Sequence, residues 1–362
     1  MTDLVSGMNP EVLKWARERA GYSVADVAHA LKKDIDVIES WESGADAPTY
    51  GQLEKLAYQL YKRPIALFFF PAPPEEPDPK QSFRTLPEFE LQNLASDTRF
   101  AIRQAEAMQL ALNELNDGAN PAQKKIFREV QIDINSDIVS AVARVRDYLG
   151  LKLEEQSHWK DSDDALKKWR SAVEETGVFV FKRSFHQRDI SGFCLLDVEF
   201  PVIYINNSAA KTRQIFTLFH ELAHILLHSN GITKRDFRYI DALTGYEKQI
   251  EVFCNRFAGE FIVPSSDFEQ WIKGDARNDE YISKLANTYK VSREAILRKF
   301  LDRKLVDQNY YEAKAKQWAD EYENARKSAA GGGDYYATQA IYLGDRFLNL
   351  AFARYYQGRC TL

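Results

Sequence analysis

Two histidines that lie four residues apart in an apolar segment constrain this chain more than any other feature. The chain reads Phe-His-Glu-Leu-Ala-His within the apolar run 215–227. Helix positions four apart share one face, so His220 and His224 can bind one metal ion, and Glu221 between them can take a proton from water. Three of the six histidines fall between 220 and 228. Because buried histidine and glutamate need partners, which a metal supplies, the pattern favours a metal site over a purely structural helix.

A third ligand for this site is expected on the next amphipathic helix, which covers 251–262 and ends before a proline. Glu251 and Asn255 share one face of that helix, so Glu251 can bind the metal and Asn255 can hold a ligand histidine in place. Glu247 and Glu260 are alternatives for the ligand role. Glu260 lies nine residues after Glu251, about 180° around the helix, so only one of these two can face the metal.

The segments FTLFHELAHILLH and IEVFCNRFAGEFIVP together resemble the ImmA/IrrE family of metallopeptidases. The resemblance implies a gluzincin-like site with His220, His224 and Glu251 as ligands and Glu221 as general base. It also puts Asn255 at the position where the family has Asn after Ala or Cys. Two imidazoles and a carboxylate favour Zn²⁺, with Mn²⁺ as the alternative.

The order of elements around the motif is that of a zincin-like peptidase core, which we expect over residues 161–302. A helix and three β-rich runs precede the motif helix, at Val178–Phe181, Gly192–Leu196 and Pro201–Ile205. We expect these runs to form a small antiparallel sheet, and the motif helix to begin at a cap on Asn207 or Ser208. Substrates of such enzymes usually add a strand to the sheet edge, and Gly192 with Phe193 is the candidate edge.

When water attacks a peptide carbonyl, the carbonyl oxygen becomes negatively charged and needs a side chain to stabilise it. The sequence does not single out one residue for this role. Four side chains near the motif are candidates, namely Tyr239, Tyr246, His228 and Arg235. For His228, which lies one turn after His224, we favour an interaction with the C-terminus of the helix.

Residues 1–71 carry the start and stop signals of a bundle of five short helices. The signals are Asn9–Pro10, Gly21, Ser23, Gly44, Pro48–Thr49 and Pro64. The segments ARERAGYS, VADVA, IESWESG and PTYGQLEKLA are similar to the XRE/Cro class of helix-turn-helix repressors. That similarity implies that the bundle binds DNA.

The third helix of this bundle departs from what a DNA-reading helix needs. Residues 34–42 contain Asp34, Asp36, Glu39 and Glu42 and no basic residue, and acidic side chains repel phosphate. The alternative is a bundle kept for protein contacts, either self-association into a homodimer or docking of a partner with the same fold.

The length of 362 residues gives room for two or three domains. Around the two motif-bearing regions we expect a proline-rich linker at 72–90, a helical spacer at 91–160 and a helical C-terminal region at 303–362. The chain would then be a multidomain protein, mainly α with an α+β peptidase core. Near the end, Thr361 has the character of a helix N-cap, which suggests that the natural chain continues.

Composition and charge argue against several classes of protein. The net charge of −5 does not argue for nucleic-acid binding. Three cysteines, Cys194, Cys254 and Cys360, are too few and too scattered for a disulfide framework. No positively charged segment precedes an apolar one at the N-terminus, and no run has the apolar length of a membrane span. We therefore expect a cytoplasmic protein without membrane contacts.

These observations predict an XRE-type bundle fused to a zinc-dependent metallo-endopeptidase. The family resemblance implies that the substrate is a transcriptional repressor or antitoxin-like partner encoded nearby. Its cleavage would derepress a stress, mobile-element or toxin–antitoxin operon. The alternative is a non-proteolytic, antitoxin-like DNA-binding regulator with a structural metal site.

Overall fold

The computed structural model describes residues 4–76, 93–187, 189–234, 239–328 and 335–359. The chain divides into two compact units. The first comprises Met1–Glu106 with Phe185–Gln187, and the second comprises Ala107–Ser184 with Arg188–Leu362. Most of the linker expected at 72–90, from residue 77 onward, lies outside the described residues.

The first unit is a helical bundle whose ends follow the predicted capping signals. Its helices are α1 (Pro10–Ala20), α2 (Val24–Leu31), α3 (Ile35–Ser43) and α4 (Tyr50–Glu54), followed by a π-helical segment (Lys55–Tyr61) and a 3-10 turn (Ile65–Phe69). Asn9 caps α1 by accepting from the Glu11 N–H, and Gly21 ends it with φ 81°, which glycine adopts without strain. Ser23 and Thr49 each form a capping box at the next helix starts. The five helical elements expected here are therefore present, the fifth as a 3-10 turn.

Helix α5 (Ser96–Leu115) follows, and the boundary between the two units falls within it. The second unit holds thirteen further helices among the described residues. They are α6 (Ile126–Glu129), α7 (Ile138–Leu149), α8 (Leu153–His158), α9 (Ser162–Glu175), α10 (Lys211–Leu226), α11 (Tyr239–Ala242), α12 (Gly245–Ile262), α13 (Ser265–Phe268), α14 (Asp279–Tyr289), α15 (Arg293–Asp302), α16 (Gln308–Ser328), α17 (Tyr335–Leu343) and α18 (Asp345–Tyr356). A 3-10 turn, Glu269–Trp271, follows α13. The C-terminal region is thus helical in its described part, which does not include residues 329–334.

One sheet lies in the second unit, with β1 (Phe179–Arg183), β2 (Ile190–Leu195), β3 (Val202–Asn206) and β4 (Gly231–Lys234) in the order β1-β3-β2-β4. The expectation of an antiparallel sheet was wrong in one pairing, because β1 runs parallel to β3. Strand β2 is antiparallel to both of its neighbours, β3 and β4. Three short apolar runs carry no information about strand direction, which the path of the chain between them decides.

The expected edge strand was also misplaced. Gly192 and Phe193 lie in β2, which has a strand on each side, so they are internal to the sheet. The edge on that side is β4, whose four residues are too few to show an alternating pattern in the sequence. Close packing explains the glycine at position 192, because a Cβ there would lie 2.5 Å from Thr217 Cγ2 on α10.

The motif helix α10 begins later than expected, at Lys211, and has no side-chain cap. Asn206 Oδ1 accepts hydrogen bonds from the Ser208 N–H (3.1 Å) and from the Ser208 hydroxyl (2.7 Å). This local turn occupies the Ser208 side chain, which was one of the two expected caps. Among the described residues, every helix is too short or too polar to cross a lipid bilayer.

Candidate metal centre

Helices α10 and α12 carry the candidate metal site and pack directly against each other. The residues of α10 from Thr217 to Leu226 are all buried, and on α12 Ile250, Phe253, Phe257 and Phe261 are buried with Glu251. The sheet covers α10 from another side, through β2, β3 and β4. A helix that is apolar almost all round is thereby enclosed, and its polar side chains are withdrawn from water.

Three polar side chains meet at the contact between these helices. The Nε2 atoms of His220 and His224 lie 3.1 Å apart. Glu251 places one carboxylate oxygen 3.3 Å from His220 Nε2 and the other 3.2 Å from His224 Nε2. Both imidazoles are fully buried and Glu251 is 4% exposed. The structure therefore brings together the three residues that the sequence predicted as ligands.

The outer nitrogens of both imidazoles are held by hydrogen-bond acceptors. His220 Nδ1 lies 3.1 Å from Asn255 Oδ1, and His224 Nδ1 lies 3.0 Å from Ser229 Oγ. An amide oxygen accepts, so Nδ1 of His220 carries the proton, and the Ser229 hydroxyl can accept in the same way while donating to the His224 carbonyl at 3.3 Å. In this tautomer both Nε2 atoms present lone pairs to one another.

This donor set fits a divalent cation. Two lone pairs and a carboxylate at 3.1–3.3 Å repel one another unless a positive charge, either a proton or a metal ion, lies between them. Bond lengths of about 2.0–2.1 Å in tetrahedral geometry would put ligand atoms about 3.4 Å apart, close to the separations found. Burial alone would raise the pKa of Glu251, yet the adjacent His224 and His220 hold that pKa well below its usual range. The carboxylate is thus kept in the anionic form that metals bind.

Glu221 occupies a separate position on the same helix. Its Oε1 accepts a hydrogen bond from the Thr233 hydroxyl on β4, and both side chains are fully buried. Its Oε2 is buried and has no hydrogen-bond partner among the described residues. A buried carboxylate oxygen without a partner is costly, so it marks a place where a small polar molecule can bind.

Strand β4 approaches the candidate site so closely that one residue must be glycine. A Cβ on Gly231 would lie 2.5 Å from Cδ2 and 2.7 Å from Nε2 of His224. Two buried thiols are near as well. Burial and the Glu221 charge raise the pKa of Cys194 well above its usual value, and burial raises that of Cys254, beside His224. Both cysteines are free and stay protonated at neutral pH.

The other candidates from the sequence lie elsewhere. Glu260 forms an ion pair with Lys299 at 2.9 Å and accepts from Ser265, while Glu247 is half-buried. His228 is exposed at the end of α10, and Tyr246 is 61% exposed. Arg235 and the side chain of Tyr239 lie outside the described residues. Ser229, Gly231 and Thr233 were missed, because nothing in their local sequence shows that β4 returns to α10.

Comparison with known proteins agrees with this geometry. Residues 173–301 match the family model Peptidase_M78, described as an IrrE N-terminal-like domain. The radiation response metalloprotease IrrE of Deinococcus radiodurans is 31% identical over 103 residues, which make up 28% of this chain and 31% of that protein. The chain therefore matches less than a third of the length of this relative.

The matched region 173–301 contains the strands, both ligand-bearing helices and the His-His-Glu cluster. The family match, the relative and the cluster together support a metallopeptidase.

Proposed function

We propose that this chain is a zinc-dependent endopeptidase, with Mn²⁺ as the alternative ion. The observation that carries the proposal is the buried cluster of His220, His224 and Glu251, with the unpartnered oxygen of Glu221 on the same helix. A divalent cation in that cluster supplies a Lewis acid, which polarises a carbonyl group and makes water more acidic at neutral pH.

Glu221 is proposed as the general base. It takes a proton from the attacking water while the water oxygen bonds to the carbonyl carbon of the scissile peptide. It then gives that proton to the leaving nitrogen as the C–N bond breaks. The free Oε2 suits this exchange, because no bond to a described residue must be broken first.

The proposed substrate-binding edge is β4. It pairs with β2 on one side only, and among the described strands none pairs with its other side. An extended peptide that adds to β4 would lie beside His224, against which Gly231 packs. The opposite edge strand, β1, packs against α17. This replaces the earlier expectation that Gly192 and Phe193 form the edge.

For the N-terminal unit we propose an XRE-like bundle that contacts protein rather than reading an operator alone. Arg17 binds Glu42 through both carboxylate oxygens, at 2.7 and 2.9 Å, so one of the three acids of α3 is turned inward. Asp36 and Glu39 remain exposed on α3. An exposed acidic face suits a basic protein surface better than a phosphate backbone. The substrate we favour is a cytoplasmic helix-turn-helix repressor or antitoxin encoded nearby, whose cleavage would derepress a stress, mobile-element or toxin–antitoxin operon.

The test of catalysis uses the full chain with the repressor or antitoxin encoded next to its gene. Wild-type protein should contain one zinc ion and cut that partner at a defined bond, found by mass spectrometry. Glu221→Gln should keep the zinc and lose cleavage, because an amide cannot accept the proton. His220→Ala should lose both, whereas His228→Ala, at an exposed histidine on the end of α10, should lose neither. Cleavage by Glu221→Gln near the wild-type rate would exclude Glu221 as the base.

The test of the N-terminal unit compares DNA and protein binding. We expect the full chain to bind its protein partner and to show no tight binding to DNA upstream of its gene. Reversing the exposed charges, with Asp36→Lys and Glu39→Lys together, should weaken partner binding without changing zinc content. Sequence-specific, nanomolar DNA binding at physiological salt, without any cleavage, would instead favour a non-proteolytic regulator with a structural metal site. Size measurement in the same experiment tests self-association into a homodimer.

A further inference from the structure

The Glu221 carboxylate is anchored at Oε1 by a side chain of β4. Thr233 donates its hydroxyl proton to Oε1, and no described residue bonds to Oε2. Thr233 and Glu221 are both fully buried, so water does not compete for this hydrogen bond. A bond from a neutral hydroxyl to a buried carboxylate is strong and directional, and it restricts how the carboxylate can rotate.

The position of Thr233 is set by the sheet. Thr233 pairs with Gly192 on β2, next to a β-bulge at Ser191. Arg213 on α10 donates to the Ser191 hydroxyl at 3.1 Å and to the Lys234 carbonyl at 2.6 Å, which ties this end of both strands to the helix. The Thr233 side chain lies on the side of the sheet that faces α10, where it reaches Glu221.

Thr233 also lies on the strand that we propose to pair with substrate. Side chains of a strand alternate, so Gly231 and Thr233 face the same side, toward α10. Gly231 lies against the His224 ring, and Thr233 bonds Glu221. One strand therefore contacts both the candidate metal ligand and the candidate base.

We propose that Thr233 is a positioning residue for Glu221. It anchors Oε1 so that Oε2 alone points to the reacting water, and it fixes the base to the strand along which the peptide lies. This inference rests on the proposed peptidase function. The Thr233 side chain contacts neither substrate nor metal in this scheme and acts only through Glu221.

The kinetic test compares three variants on the partner protein that the wild type cleaves. Thr233→Val keeps the shape and removes the donor, and it should lower kcat by about 10-fold to 100-fold. KM should stay within about twofold, and the zinc content should stay at that of the wild type. Thr233→Ser restores the hydroxyl and should recover most of kcat. The matched control is Thr217→Val, a fully buried threonine whose hydroxyl bonds the Arg213 carbonyl at 2.9 Å.

A second test needs neither metal nor substrate. In the metal-free full chain, Thr233→Val should lower the midpoint of guanidinium unfolding, because Glu221 loses its donor. The same change in a Glu221→Leu background should shift the midpoint much less, since the carboxylate is already gone. The difference between the two shifts measures the coupling of the two side chains.

The outcomes separate the two proposals. A wild type that cleaves no partner overturns the peptidase function and the role of Thr233 with it. A cleaving wild type overturns the role of Thr233 alone in three cases: if Thr233→Val keeps its kcat, if Thr233→Ser fails to recover it, or if the two unfolding shifts are equal. Reduced kcat, serine recovery and unequal shifts together support it.

Discussion

Phe219 stacks on Phe261 with ring centroids 4.0 Å apart and ring planes 23° from parallel. Phe219 directly precedes His220 on α10, and Phe261 lies on α12 with Glu251. Trp169 on α9 meets both rings edge-on, at 5.0 and 5.3 Å. Aromatic packing between α10 and α12 therefore fixes the separation of the two helices that carry the candidate ligands.

Removing one of these rings should change the separation of α10 and α12 at the candidate metal site. Phe219→Ala should lower the free energy of unfolding by about 3–5 kcal/mol, the usual cost of a large cavity. It should also weaken zinc binding, because α10 and α12 lose the contact that fixes their separation. Calorimetry of unfolding and zinc titration measure the two effects.

Phe268→Ala is the matched control for that change. Phe268 is fully buried against Phe300 and Tyr289, in a different part of the same unit. We expect a comparable loss of stability with zinc affinity unchanged. Equal losses of affinity in both variants would show that general destabilisation, and not helix separation, governs zinc binding.

A methyl group at Gly231 should act on the ligand itself. The added Cβ would lie 2.7 Å from His224 Nε2, so Gly231→Ala should displace that nitrogen and weaken zinc binding by about tenfold or more. Gly259→Ala on α12 is the control, since a Cβ there meets nothing within 4 Å. That change should leave zinc affinity intact and stabilise the helix by about 0.5–1 kcal/mol. Unchanged zinc affinity in Gly231→Ala would contradict the close approach of β4 to the ligand.

Ser229 should matter for metal affinity through His224. Ser229→Ala removes the acceptor 3.0 Å from His224 Nδ1, which leaves the ring free to rotate. Loss of such a partner typically weakens metal binding by about 10-fold to 100-fold. Ser208→Ala removes a hydroxyl that bonds the nearby Asn206 at 2.7 Å, and it should have no effect on zinc titration. The same affinity in both variants would argue that His224 is oriented by packing alone.

Of the three candidate ligands His220, His224 and Glu251, helix geometry predicted the shared face of the two histidines, and the choice of Glu251 over Glu247 and Glu260 came from the family resemblance. Two of the three residues share one face through their spacing of four, and Glu251 with Asn255 repeats that spacing on the next helix. Start and stop signals such as Asn9 and Gly21 were equally readable, because a cap is a local hydrogen bond or a local φ angle.

The contacts that β4 makes with the candidate site could not be predicted from the sequence in the same way. Ser229 and Thr233 reach the site only because the chain turns after α10 and pairs with β2. No local periodicity in the sequence indicates that the chain turns back to the sheet after α10. A four-residue strand is also too short for its residue pattern to show which face is buried. The parallel pairing of β1 with β3 was hidden for the same reason, since strand order is a tertiary property.

Lys182 on β1 gives a prediction about pH. Burial, with the positive charges of Arg170 and Lys211, lowers the pKa of Lys182 to about 7. In the unfolded chain this amine titrates near 10.4, so between these pH values the unfolded state binds more protons and stability rises with pH. The free-energy cost of burying the Lys182 charge is therefore fully present below pH 7, and it disappears as the pH rises to about 10.

Lys182→Met should remove that cost. We expect it to raise the free energy of unfolding at pH 6–7 by about 1–3 kcal/mol and to flatten the rise of stability toward pH 10. Lys167→Met provides the comparison, because the Lys167 side chain is 74% exposed beside Asp163. A pH profile of Lys182→Met that parallels the wild type would mean that the Lys182 amine reaches water in the folded state.

The contact between Arg170 and the C-terminal region has a consequence for synthesis of the chain. Arg170 donates to the Ile341 carbonyl at 2.8 Å across 171 residues of sequence, where α17 packs against the edge strand β1. At 5–20 residues per second, a ribosome needs on the order of 10 to 30 s to make that stretch. Throughout this interval β1 has emerged without its covering helix, and an uncovered strand edge invites pairing with other chains. Translation that stops between α12 and α17 would therefore release a product prone to aggregation, although it carries all three candidate metal ligands.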